Sequence, residues 1–153
     1  MKYDVSEVGE IEINTIVFDL NGTLQVQGSI PEGVRERLAK LRELGFSLVF
    51  FTGDARGNAH EIAEELGIEF RKCVNGAEKE AAMSDFDKET TAAIGNARID
   101  IGTFRNAKLA IGTLQAEGIH TGILKHIDVL VPSINDALDF FLDEAAFKAT
   151  MRT

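Results

Sequence analysis

Ile16-Val17-Phe18-Asp19-Leu20-Asn21-Gly22-Thr23-Leu24 runs from an apolar segment through a lone carboxylate into a polar turn. Three apolar residues, two of them β-branched, read as the end of a buried strand, and the chain turns at Asn21-Gly22. Asp19 is carried out of the core between them. A carboxylate presented in this way at a strand end can attack a phosphoryl group. Two positions on, where a second proton-handling group belongs, stands an amide, Asn21.

Outward from this stretch, apolar runs alternate with amphipathic segments. Before it, Lys2 to Glu10 is read as a hairpin through Gly9, within an N-terminal hairpin region at 1–15. After it, Pro31 suits a first helical turn, and Val34, Leu38, Leu41 and Leu44 recur at spacings of four and three, ending at Gly45. Ser47 to Phe51 reads as a second buried strand, Asn58 to Leu66 as a helix and Ile68 to Phe70 as a short strand. A helix over about Ala77 to Phe86, a strand at Thr91 to Ile94 and a helix from Arg98 follow. Then come a strand at Ala107 to Ile111, a helical turn at Leu114 to Glu117 and a strand at Asp128 to Val131. A terminal helix carries Ile134, Leu138, Phe141, Leu142 and Ala145.

Strands with so little polar alternation, separated by helices, predict an α/β fold: a Rossmann-like, mostly parallel sheet covered by helices on both faces. No linker or repeat asks for a second domain, so 1–153 is expected to be one. In such sheets functional groups gather beyond the carboxyl ends of the strands, where strand order reverses. Three loops leave such ends here: Asp19 onward, Thr52-Gly53-Asp54, and Gly95-Asn96.

A carboxylate and a phosphate repel one another, so a divalent cation is needed between them. Asp19, the backbone carbonyl of Asn21 and Asp100, with Asn96 as a neutral ligand, form an all-oxygen set that suits Mg2+. Lys79 is positioned to set an ammonium against phosphate and nucleophile. Thr52 offers a hydroxyl, and the backbone N–H groups around Asn21, Gly22 and Gly53 offer further donors. Other roles exist for the same residues. Lys79 fits a solvated helix face, with Lys72 competing for its function; Asp54 and Asn96 fit helix caps; Asp100 fits a helix N-terminus. The histidines His60, His120 and His126 have no spacing that suggests zinc, and Cys73, the only cysteine, gives no disulfide.

Composition excludes other classes. With 44% hydrophobic residues in 153, the chain can bury one real core. Its formal charge of -9 disfavours nucleic acid or an anionic membrane surface as partner. No apolar run approaches the roughly 20 residues of a membrane span. The N-terminus lacks a secretory pattern, so a cytoplasmic setting is expected.

Phe18 to Leu24 (FDLNGTL), Thr52 to Asp54 (TGD) followed by a helix and Leu66-Gly67-Ile68, Lys79, and Gly95 to Asp100 (GNARID) stand in one order along nearly the whole chain. In that order they resemble the motifs of the haloacid dehalogenase-type phosphohydrolase superfamily, most closely small soluble proteins related to the phosphorylation domain of P-type ATPases. The resemblance implies phosphorylation of Asp19, Mg2+ as cofactor and a phosphorylated small molecule or protein as substrate. Only Gln25 to Ile30 separates Leu24 from Pro31, which implies a core without a substantial cap. Capless relatives use a neighbouring subunit for recognition, so the resemblance also implies a homo-oligomer.

The departures bear on function. Phosphatases of the superfamily carry Asp where Asn21 stands, and an amide cannot exchange a proton near neutral pH. Asn96 replaces an Asp of the metal loop, and Ile99 replaces an Asn. By analogy this implies slow hydrolysis, a substrate with a good leaving group, or a noncatalytic protein that binds phosphate or a partner through the same fold.

Overall fold

Strands apolar on both faces need cover on both sides, and the computed structural model, which describes residues 1–153, supplies it. Strands β1 (Lys2–Val5) and β2 (Gly9–Glu12) pair as an antiparallel hairpin. The six remaining strands are β3 (Thr15–Asp19), β4 (Ser47–Thr52), β5 (Glu69–Lys72), β6 (Thr91–Gly95), β7 (Leu109–Thr113) and β8 (Val129–Val131). They form one wholly parallel sheet in the order β5-β4-β3-β6-β7-β8. The chain builds outward from β3 to β5 and then returns to lay β6 on the other side of β3. The reversal of strand order therefore falls beside Asp19, the last residue of β3.

Because successive side chains of a strand point to opposite faces, β3 feeds two cores. Ile16 and Phe18, with Leu48, Phe50, Ile94 and Ile111, face the larger one. It is closed by α1 (Val34–Glu43), α2 (Ala59–Leu66), α5 (Ile134–Leu142) and α6 (Glu144–Met151). Val17, Val49 and Phe51 face the other way, against Cys73 and Met83 behind α3 (Gly76–Ala82). Ala93 and Ala110 on that face pack on Phe104 of α4 (Ile101–Arg105). This is the expected α/β sandwich. No large cap stands over it: between β3 and α1 the chain makes only a small flap, in which Val26 and Ser29 exchange backbone hydrogen bonds of 2.8 and 3.1 Å.

The β1–β2 hairpin is anchored to the C-terminal helices. The Tyr3 hydroxyl donates to the carbonyl of Phe141 at 2.9 Å, and its ring stacks on Phe147 with centroids 3.8 Å apart. Such aromatic pairs contribute about 0.5–1.5 kcal/mol beyond burial.

Two local expectations are corrected. The residues Leu114 to Glu117 are a loop rather than a helical turn. Leu114 N–H still donates to Val131 in the manner of the strand, and the Gln115 side chain is pulled back toward the β3 loop. The terminal helix is two helices, not one. Asp143 adopts φ -103 and ψ 93, and its carboxylate accepts from the N–H groups of Ala145 and Ala146, both at 3.0 Å, so that it caps α6 where continuing α5 would need those donors elsewhere.

Candidate active site

Asp19 lies at the C-terminal edge of the central strand, in register with Phe51 of β4, so that Thr52 is one residue beyond it on the neighbouring strand. The chain then folds back on itself. Gln25 N–H donates to Leu20 at 2.8 Å and Gly22 N–H to Gln25 at 2.7 Å, a tight loop that fixes the direction of the Asp19 side chain. Gly22 has φ +81, and a Cβ there would collide with the Asn96 amide, so both backbone conformation and space demand glycine.

The site centres on Lys79. Its Nζ donates to Asp19 Oδ1 at 2.6 Å and to Asp100 Oδ1 at 2.7 Å, with only 2% of the residue exposed. The exposed-face alternative for Lys79 is therefore excluded, whereas Lys72 is exposed and far less suited. The short helix that carries Lys79 is held at its start by a reciprocal cap: Asn75 Oδ1 accepts from Glu78 N–H at 2.9 Å, and Glu78 Oε2 accepts from Val74 N–H at 2.7 Å. Asp100 is held just as firmly. Its Oδ2 accepts from the N–H groups of Asn96 and Ala97 at 3.1 and 3.0 Å. A Cβ on Gly95 would stand 2.6 Å from that oxygen, so glycine at 95 lets the carboxylate close on the backbone.

Asn96 is 7% exposed, and its side chain is largely committed. Nδ2 donates to the carbonyl of Gly118 at 2.9 Å, which turns Oδ1 toward the Thr23 hydroxyl at 3.5 Å. The Thr52 hydroxyl accepts from Asp54 N–H at 3.1 Å and keeps its own proton to donate. Asp54 is the cap anticipated for it: Oδ1 accepts from Ala59 N–H at 2.9 Å at the start of α2. Gly53 follows Thr52 in the same loop, and Asn21 is exposed at the mouth. Asp19, Lys79 and Asp100 are thus in direct contact, with Thr52, Gly53, Asn21, Gly22 and Asn96 around them.

Gln115 escaped the sequence reading. Its Nε2 donates to the carbonyls of Gly22 and Thr23, both at 2.9 Å, while its Oε1 accepts from Ile134 N–H at the start of α5, also at 2.9 Å. One amide thereby bolts the Asp19 loop to a helix more than 100 residues later in the chain. Glu117, on the same loop, accepts from Gln27 N–H of the flap at 2.9 Å. The only available signal was that both residues lie just past a strand end.

Two carboxylates share one ammonium in a buried place, which leaves one negative charge in excess. Burial is the largest influence on Asp19 and the charge of Asp100 the next, and together they push its carboxyl up from 3.8 to about 7 despite Lys79. For Lys79 burial opposes the charge, but Asp19 and Asp100 outweigh it and the net shift is upward. The excess charge and the all-oxygen donors fit a hard divalent cation. No group of three or more Asp, Glu, His or Cys side chains gathers here or elsewhere, so such an ion would rest on at most two carboxylates, with carbonyl oxygen and water making up the rest.

The haloacid dehalogenase-like hydrolase family model matches residues 25–108, more than half of the chain. The chain belongs to that family. The matched span contains Thr52, Lys79, Asn96 and Asp100 and begins at Gln25, after Asp19 itself. Among curated family relatives, a soluble P-type ATPase-like phosphatase of Methanocaldococcus jannaschii is 24% identical over 132 residues, covering 83% of this chain and 48% of that protein. A copper-exporting P-type ATPase of Bacillus subtilis is 32% identical over 122 residues, 76% of this chain and 15% of the transporter. The chain thus spans about half the length of the first relative and far less of the second. No helix of this chain is long and apolar enough to cross a membrane.

The fold is shared with the deoxy-D-mannose-octulosonate 8-phosphate phosphatase of Haemophilus influenzae, at a TM-score of 0.76 and 16% identity, over 93% of this chain and 94% of that one. It is shared also with the 3-deoxy-D-manno-octulosonate 8-phosphate phosphatase of Moraxella catarrhalis, which was solved with magnesium and phosphate ions. Here the TM-score is 0.70 and the identity 17%, over 90% of this chain and 92% of that one.

Proposed function

We propose that this family member is a Mg2+-dependent phosphohydrolase that works through an aspartyl-phosphate on Asp19 and turns over slowly. The observation that carries the proposal is the buried contact of Lys79 with both Asp19 and Asp100 at the point where strand order reverses. Lys79 engages Oδ1 of Asp19, which leaves Oδ2 outside that ion pair as the attacking atom. That oxygen forms a bond to phosphorus as the ester P–O bond breaks, and the leaving oxygen departs with the electron pair. Water then attacks the phosphorus, inorganic phosphate leaves, and Asp19 is regenerated. Lys79, the Thr52 hydroxyl and the N–H groups of Asn21, Gly22 and Gly53 would hold the phosphoryl oxygens. Mg2+ would be held by Asp19 and the Asn21 carbonyl, with Asp100 and Asn96 joining by sharing the oxygens that here accept from Lys79 and Thr23, and would offset the repulsion between carboxylate and phosphate.

Asn21 limits the rate. An amide cannot protonate the departing oxygen or take a proton from the attacking water, and general acid–base help of this kind is worth roughly 10²–10⁴-fold. Substrates whose leaving oxygen departs unprotonated, such as aryl or acyl phosphates, suit the site best. The substrate would be a phosphorylated small molecule or protein, and a second copy of the chain would shield the open mouth.

Intact-protein mass spectrometry after exposure to Mg2+ with acetyl phosphate and an aryl phosphate tests this directly. A phosphoryl group should appear on the wild type and not on Asp19→Asn, and product should accumulate slowly; absence of both across donors and metals rejects the proposal.

A second reading, a noncatalytic phosphate-responsive or partner-binding protein, draws on Asn21 and on the committed Asn96 amide. Asn21→Asp separates the two. A rise in hydrolysis of about 10²-fold or more with unchanged folding favours the enzyme. No rise favours the binding protein.

A further inference from the structure

Beside the Asp19 loop opens a cleft of about 190 Å³, and Asn21 and Thr52 line it together with two carboxylates, Asp54 and Glu117. The two are held differently. Asp54, on the loop after β4, turns back on the start of α2, where its Oδ1 accepts from Ala59 N–H at 2.9 Å. Glu117 arrives from the other side of β3, on the loop after β7.

Two clasps hold that loop. Gln115, two residues before Glu117, donates to the carbonyls of Gly22 and Thr23, both at 2.9 Å, which ties it to the loop that carries Asp19 and Asn21. From the flap, Gln27 N–H donates to Glu117 Oε2 at 2.9 Å. Gln27 holds φ 51 there, a left-handed conformation that is costly for a residue with a side chain. Glu117 Oε1 is left without a protein partner. Asn21, whose amide cannot exchange a proton, therefore shares its cleft with a carboxylate that can.

We propose that Glu117 is the general base for hydrolysis of phosphorylated Asp19, supplied by a distant loop because Asn21 cannot accept the proton. The assignment rests on the phosphohydrolase reading of the Asp19 site. In an in-line displacement, water attacks from the side that the leaving oxygen has vacated, which is the mouth where Asn21 is exposed. As its oxygen bonds to phosphorus, one proton passes to Glu117 Oε1, the bond from phosphorus to Asp19 breaks, and the electron pair returns to the Asp19 carboxylate. Inorganic phosphate leaves, and Glu117 gives its proton to solvent. An ionised carboxylate has no proton to give in the first step, so the leaving oxygen still departs unassisted.

Glu117→Gln keeps an oxygen for Gln27 N–H and removes only the base, so it separates catalysis from the clasp. With Mg2+ and acetyl phosphate, this variant should release inorganic phosphate about tenfold or more slowly than wild type and carry more phosphoryl in intact-protein mass spectrometry. In the Asn21→Asp background, which restores a proton acceptor, the same substitution should change release by less than about twofold. Release within about twofold of wild type in Glu117→Gln, an undiminished loss in the Asn21→Asp background, or an equal loss in Asp54→Asn overturns the assignment, while phosphoryl on Asp19 still upholds that site. A chain that neither gains phosphoryl nor releases phosphate in any of these forms overturns the phosphohydrolase reading, and the role of Glu117 with it.

Discussion

Asp19 carries the tension between stability and chemistry at the scale of single residues. Asp19 and Asp100 face one ammonium, so the folded state holds one carboxylate more than Lys79 can balance. A carboxyl raised from 3.8 to about 7 by folding keeps its stabilising contribution in full below pH 3.8. That contribution is lost as the pH rises through about 7. Asp19→Asn removes the excess charge and leaves Lys79 balanced by Asp100. The variant should therefore be more stable than wild type at pH 8, by a few kcal/mol in denaturant unfolding, and nearly equal to it at pH 4. A variant less stable at pH 8 would show that the Lys79 pair outweighs the burial of the extra charge. The Lys79 contacts join residues 60 and 21 positions apart in the sequence. The motif spacing made Asp19, Lys79 and Asp100 legible as candidates, but only the folded arrangement tells that Asp100 spends one oxygen on Lys79 and the other on its own loop.

At the scale of elements, helix ends and loop clasps determine how well the site is held. Gln115 joins the Asp19 loop to α5 with three hydrogen bonds of 2.9 Å. Gln115→Ala should cost about 1–3 kcal/mol in global stability through the carbonyls and N–H left unpaired. It should also quicken amide exchange at Gly22 and Ile134 beyond that seen at the edge of the sheet, which hydrogen-exchange measurements resolve. Asp143 divides what looked like one terminal helix. Asp143→Ala should lower stability by about 1 kcal/mol, read as a shift of the urea midpoint without a change of slope. The apolar periodicity of this segment is continuous across Asp143, so its pattern reads as a single helix. The break came from a side chain that competes for backbone N–H groups, a choice the hydrophobic pattern does not record. Leu114 to Glu117 departs from its helical pattern for a related reason, since its conformation is set by partners on β8 and on the Asp19 loop.

The whole molecule concentrates its polar chemistry at one edge of the parallel sheet, where three strands end together at the reversal of order. Because only the ionised form of Asp19 attracts a hard cation, Mg2+ should raise the melting temperature more at pH 8 than at pH 5, and this difference should vanish in Asp19→Asn. Thermal melts at the two pH values with and without Mg2+ check it; an equal rise in both proteins would place the cation elsewhere. Local patterning was enough for the sheet, its burial on both faces and the edge at which the polar loops gather. Apolar runs of strand length, with helices between them, leave a parallel core as the economical way to remove that surface from water. It also named the loops that meet. Which side chains are spent on holding those loops, as Asp54, Asn96 and Gln115 are, was settled by folding in three dimensions. The physical reason is that hydrogen-bond partners are assigned by distance in space among groups far apart in the chain, whereas burial is written locally in the alternation of apolar and polar residues.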